Sequence, residues 1–219
     1  MKQILYFILN IVLATPLQAQ GIRDAFINMP DSLLPILTKV NRADCIDFLD
    51  YDMRALVKNR FDEESEMTRL TNDYIAMQLS SRHQFEMKLL PFKDSISIIC
   101  TVQTVGDVIF DSRVNFYTTE WRPLKLQDFI TYPTQSDFQP NTIHSQVSDT
   151  LSIPWESLCA EADILLMHAS LSDSTSTLTF HYSTPLYMDK KSARLYSSLL
   201  KSSSIQYDWI NGRFIRIEE

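Results

Sequence analysis

Hydrophobic spacing divides this chain into an opening apolar run, a stretch of helical period, and two stretches in which apolar and polar residues alternate. Ile4 to Val12 form the run, interrupted only by Asn10. Residues 22–57 then follow helical spacing. IRDAFINM predicts one helix that breaks at Met29-Pro30, and Asp31 stands where it would cap a second helix, SLLPILTKV. Asn41 would cap a third helix, with Asp44 reaching back as in a capping box. In that helix Ile46, Leu49, Met53 and Leu56 line the buried face. From Lys58 to Asn72 the chain turns polar and acidic (FDEESEMTRLTN), which reads as an exposed connection.

The period then falls to 2. Ile75, Met77 and Leu79 alternate with polar residues, as do Phe85, Met87 and Leu89 beyond Ser81-Arg82. Pairing 79 with 85 and 77 with 87 places all six on one face of an antiparallel hairpin. Ile96, Ile98, Cys100 and Val102 form a third strand. Phe110 to Thr119 form a fourth, with Val114 and Phe116 inward. Helices followed by a four-stranded meander make the expected first half.

Residues 131–154 carry Pro133, Pro140 and Pro154 among polar residues and mark a long loop or lobe boundary. PWESLCAEAD reads as a short helix. A hairpin follows, with Met167, Ala169 and Leu171 opposite Leu178, Phe180 and Tyr182. DKKSARLYSSLL predicts an inserted helix. Asn211-Gly212 predicts a type I′ turn that pairs Trp209 with Phe214 and Tyr207 with Arg216. The fold class is α+β: N-terminal helices, an antiparallel meander, then a second antiparallel segment with one inserted helix. Residues 20–219 read as a single α+β domain, which would divide into two lobes near 131–154.

Composition adds an address. Lys2, the apolar run, and the small-residue exit at Pro16, Leu17 and Ala19 make residues 1–19 a secretory signal, cleaved before Gln20. The run is too short for a comfortable membrane span, so a soluble periplasmic or secreted product is expected, with no stable membrane insertion. The net charge of −7 argues against a nucleic-acid partner. Cys45, Cys100 and Cys159 are odd in number and widely spaced. They read as three buried thiols, with one bridge plus a free thiol as the alternative. Only three glycines occur, and no phosphate-cradling loop or G-x-S-x-G elbow is present. No cofactor is expected.

The blocks MPDSLLPILTKVNRADCIDFLDYDM, FEMKLLP and VNFYTTEWRPL resemble a family of small exported Bacteroidales proteins, catalogued as a domain of unknown function (the 3256 family). The resemblance implies export and carries no activity or site residue. In exported proteins of that kind, the triplets Asp31-Ser32-Leu33, Asp94-Ser95-Ile96 and Asp149-Thr150-Leu151 resemble O-glycosylation acceptors.

Two candidate sites emerge. The outward face of the fourth strand carries Arg113, Asn115, Tyr117 and Trp121, beside Ile99, Thr101 and Gln103 on the third. A tyrosine and a tryptophan amid hydrogen-bonding groups suit a sugar, peptide or protein partner. The competing reading is a second core layer, covered by an element of the second half. On the last hairpins, His168 faces His181 across strands at a spacing that could share Zn²⁺ or Cu²⁺, although no third ligand is evident. Acids between Asp44 and Asp52 are explained as the solvated side of a helix. The expected function is a non-catalytic periplasmic module that binds a ligand or protein. A small extracytoplasmic hydrolase acting on peptide or glycan is the alternative, as is an accessory subunit of an envelope complex.

Overall fold

The computed structural model describes residues 21–93, 96–140 and 153–217. The signal segment, Asp94-Ser95 and Asp149-Thr150-Leu151 lie outside these residues. Two short helices, α1 (Ile22–Ile27) and α2 (Lys39–Asp50), precede a seven-stranded antiparallel sheet whose strands follow chain order. Its strands are β1 (Ala55–Lys58), β2 (Glu64–Leu70), β3 (Tyr74–Ser80), β4 (His83–Pro91), β5 (Ser97–Gly106), β6 (Phe110–Thr118) and β7 (Pro123–Leu124). Helical turns α3 (Leu126–Phe129), α4 (Gln135–Phe138) and α5 (Trp155–Glu161) lead to a second antiparallel sheet. That sheet comprises β8 (Met167–Leu171), β9 (Thr177–Tyr182), β10 (Ser204–Ile210) and β11 (Arg213–Arg216), in the order β11-β10-β9-β8. Helix α6 (Lys190–Leu199) is inserted between β9 and β10, capped by Asp189. This is the α+β class expected from the sequence.

The large sheet is buried on both faces. Ile75, Met77, Phe85, Met87 and Ile99 pack against Phe26, Leu34, Leu37, Cys45 and Ile46 of the N-terminal segment. On the other face, Leu90, Ile98, Cys100, Val102, Val114 and Phe116 share a core with Ala169, Leu178, Phe180 and Tyr207 of the second sheet. Successive side chains of a strand point to opposite faces, so β5 needs apolar residues at consecutive positions, and the run SIIC supplies them. The outer edge of β8 is stitched to the large sheet. Its N–H groups at Met167, Ala169 and Leu171 donate to Asp111 Oδ1 (3.2 Å), Ser112 Oγ (2.9 Å) and Glu86 Oε2 (3.0 Å). These acceptors occupy groups that would otherwise offer a bare strand edge.

Several local expectations are corrected. SLLPILTKV forms irregular turns rather than a helix. Helix α2 begins earlier than expected: Thr38 caps it, and Asn41 completes the capping box in place of Asp44. It ends at Asp50, so Met53 is exposed and Leu56 belongs to β1. The acidic stretch after Lys58 contains strand β2 rather than only a connection. Ser65 is buried in that strand, donating to the Leu79 carbonyl (2.6 Å) and accepting from Asn59 Nδ2 (3.0 Å). Polar residues thus meet inside, where hydrogen bonds cancel the cost of burial.

The β3–β4 hairpin pairs Met77 with Phe85 and Ile75 with Met87, two residues from the expected register. A bulge between Gln78 and Ser80 accounts for one residue of that offset, with Ser80 pairing with His83 beyond it. The later hairpins follow the expected register: Met167 pairs with Tyr182, His168 with His181, Trp209 with Phe214 and Tyr207 with Arg216. Asn211 and Gly212 both have positive φ (51° and 81°), as a type I′ turn requires.

Candidate functional site

Between α1 and α2 the chain has no regular structure of its own, and a buried arginine holds it. Arg42 on α2 is 1% exposed. Its guanidinium donates to the carbonyls of Leu37 (3.0 Å), Met29 (2.6 Å) and Ile27 (3.3 Å), and to Asp31 Oδ1 (3.0 Å). Asp31 also receives Arg60. This knot fixes the segment carrying Ser32 and Leu33, which forms one wall of an open cleft of about 430 Å³.

The floor of the cleft is set by strand register. On the face toward the N-terminal cap, Phe85, Gln103 and Arg113 make one cross-strand row, and Met87, Thr101 and Asn115 the next. Leu89, Ile99 and Tyr117 make a third. The cap covers β3 to β5 and leaves the β6 column open. Arg113, Asn115 and Tyr117 therefore line the cleft together with Gln103 and Val105. Gln103 Nε2 ties the floor to the wall by donating to the Leu33 carbonyl (3.1 Å). The covering element is the N-terminal segment, not one from the second half.

Trp121 sits apart from this row. A turn closed by its N–H on the Thr118 carbonyl, with φ of 63° at Trp121, takes it off the strand's alternation. Its ring is 7% exposed, its Nε1 donates to the Ala25 carbonyl (2.9 Å), and it packs against Tyr117 with ring centroids 5.3 Å apart. Trp121 thus pins α1 to the sheet and backs Tyr117 from behind. Burial raises the Tyr117 phenol above its ordinary pKa, against the lowering effect of Arg113, so the hydroxyl is a proton donor at neutral pH. Among the described residues, the side chains of Arg113, Asn115 and Tyr117 make no hydrogen bond or ion pair. By contrast, carboxylates hold seven other arginines.

A family model described as "Protein of unknown function (DUF3256)" matches residues 14–214. The chain belongs to the DUF3256 family. A solved domain of an uncharacterized protein from Porphyromonas gingivalis W83 is similar to this DUF3256 chain, with a TM-score of 0.76 and 29% identity. The similarity covers 90% of this chain and 98% of that domain. No curated protein matches it.

The other sequence candidates are placed differently in the DUF3256 fold. His168 and His181 lie on the outer face of the second sheet with ring centroids 6.1 Å apart, and Phe110 packs on His168 at 5.2 Å. Burial and the neighbouring His181 lower the His168 pKa. No group of three metal-ligating side chains occurs among the described residues. All three thiols are free; Cys45 and Cys100 are buried, and Cys159 is partly exposed. Burial, aided by Asp44, pushes Cys45 up to about 12. Cys100 is raised well above its ordinary value by burial and by Glu86, and Cys159 is raised by burial and by Glu156. None is an activated thiolate.

Sequence reasoning missed one titratable cluster. Glu86 accepts from the Tyr74 hydroxyl (2.5 Å) as well as from Leu171 N–H, and burial raises its pKa. Lys88, fully buried, lies 3.0 Å from Asp73. This cluster sits where the two sheets meet and serves their junction. Alternation along β4 could have revealed it, since Glu86 and Lys88 share the parity of the core residue Leu90.

Proposed function

We propose that this DUF3256 protein is an exported binding module that receives a small ligand or a segment of a partner protein in the cleft along β6. One observation carries the reading. Three polar side chains on one face of a strand, Arg113, Asn115 and Tyr117, line a cavity large enough for a small ligand while making no hydrogen bonds among the described residues. Under the cap, by contrast, Trp121 Nε1 and the terminal nitrogens of Arg42 donate to carbonyls of the chain. A floor of unspent hydrogen-bonding capacity beside a fixed wall suits recognition. The signal-like residues 1–19 support export.

An NMR titration with a panel of tripeptides and monosaccharides tests the reading. Binding should shift the resonances of residues 32–33, 103 and 113–117 and leave the second sheet unmoved. The Asn115→Trp variant, which fills the cleft, should abolish those shifts. Shifts that scatter over the surface, or persist in that variant, refute it. Export is checked by fractionating a native host and sequencing the mature N-terminus, which should begin at Gln20.

A further inference from the structure

Resting on that reading of the cleft, we infer that its ligand is an extended peptide whose free C-terminal carboxylate is held by Arg113, with Asn115 and Tyr117 as further donors. Three observations lead there. First, the available groups are mostly donors: a guanidinium with five N–H groups, a carboxamide and a protonated phenol. Arg113 and Tyr117 lie near enough for the arginine's charge to be felt at the phenol. A guanidinium fork matches the two oxygens of a carboxylate, and a charged acceptor gives the shorter, stronger bond.

Second, Arg113 makes no ion pair among the described residues, although one acid lines the same cleft. Asp111 also lines the cleft, but its Oδ1 accepts the Met167 N–H of β8. Arg113 faces no carboxylate partner among the described residues, in a chain of net charge −7 whose other arginines are mostly paired. Third, the spacing is that of a peptide. Arg113, Asn115 and Tyr117 alternate along β6 with a repeat of about 6.8 Å, the i to i+2 repeat of an extended chain. A peptide lying along the strand would meet the three groups in series, its amides facing the Asn115 carboxamide, which both donates and accepts. A sugar would instead need an open aromatic face to stack on. Trp121, the wider platform, is buried, which leaves the half-buried Tyr117 as the one ring among the residues lining the cleft.

The test compares matched tripeptides, N-acetylated and ending either in a free acid or in a carboxamide, by calorimetry and NMR at neutral pH. The free acid should bind about tenfold tighter or more, the range expected for one charge-assisted bidentate pair. The Arg113→Gln variant should erase the difference, and Arg113→Lys should restore part of it, since the ammonium keeps the charge without the fork. Affinity for the acid should fall as salt rises. Acid and carboxamide binding the cleft equally would overturn the carboxylate assignment and leave the binding reading standing. Glucuronate binding there while the peptide acids stay silent would overturn the peptide assignment. Peptide acids that bind with full affinity to Arg113→Gln would overturn the role of that arginine. Silence of both peptides and glucuronate also overturns the inference, and the wider panel then decides the fate of the cleft itself.

Discussion

Replacing Arg42 by methionine should destabilise the protein and loosen one wall of the cleft selectively. In the native fold the guanidinium gathers three carbonyls and one carboxylate oxygen. Two of those carbonyls, on Leu37 and Met29, are bonded in buried surroundings. Each left without a donor costs about 1–3 kcal/mol. Relief of the buried charge offsets part of this, because desolvating a guanidinium costs several kcal/mol. Methionine also fills much of the vacated volume, and Asp31 keeps Arg60. The net expectation is a loss of about 3 kcal/mol, a fall in Tm of roughly 6–12 °C for a chain of this size.

Urea denaturation followed by circular dichroism gives the stability. Hydrogen exchange locates the change. The amides of Leu33 and Leu37, bonded to the Pro30 and Leu34 carbonyls, should lose protection. Amides of β9 and β10, in the second sheet, should keep theirs relative to global stability. Arg42→Lys, retaining the charge and up to three donors, should fall between the two. A methionine variant as stable as the parent, with Leu33 and Leu37 still protected, would refute the role of Arg42 as the pin of this segment.

Three further outcomes follow from other parts of the fold. Burial raises the Glu86 pKa in the folded state, so the native protein binds its proton more tightly than the unfolded chain does. Its contribution therefore falls as pH rises from the ordinary glutamate value of about 4.3 through the raised folded value. Glu86→Gln, a mimic of the protonated acid, should gain stability relative to the parent between pH 4 and 7 in melting curves. A pH-independent difference would contradict this. Gly106→Ala should cost about 2–3 kcal/mol in urea denaturation, because φ is 143° and a Cβ would lie 2.0 Å from the Ile109 carbonyl oxygen. Gly212→Ala should cost less, its obstacle being the Phe92 ring, which can swing aside.

How much could be read in advance varies by element, and the reasons are physical. The hairpins at 167–182 and 204–216 were legible to the residue. They have one apolar face and one wet face, so any slip by one residue would bury the wrong set. Asn211-Gly212 leaves a single turn type to choose. Strand β2 was illegible because its buried members include Ser65, whose place depends on Asn59 and Leu79 from elsewhere in the fold. The β3–β4 register slipped because the bulge at Leu79 leaves the alternation of side chains nearly intact while shifting the partner. In the cleft, Arg113, Asn115 and Tyr117 were found from their period along one strand. Trp121 was grouped with them because a positive φ, invisible in the pattern, carries it into the core. Arg42 gave no signal at all, since nothing in its neighbourhood distinguishes an arginine that will be buried.

Local order along the chain sufficed for the α+β class, the antiparallel pairing of successive strands and the side chains that share a strand face. These depend on period, caps and turns, which act over a few residues. Whether a face is core or cleft depended on distant segments. The cap covers β3 to β5 and stops short of β6, so Thr101 is buried while Asn115, its cross-strand neighbour, remains at the cleft. Only tertiary packing makes that distinction, because burial is a property of what lies opposite and not of the strand that bears the residue.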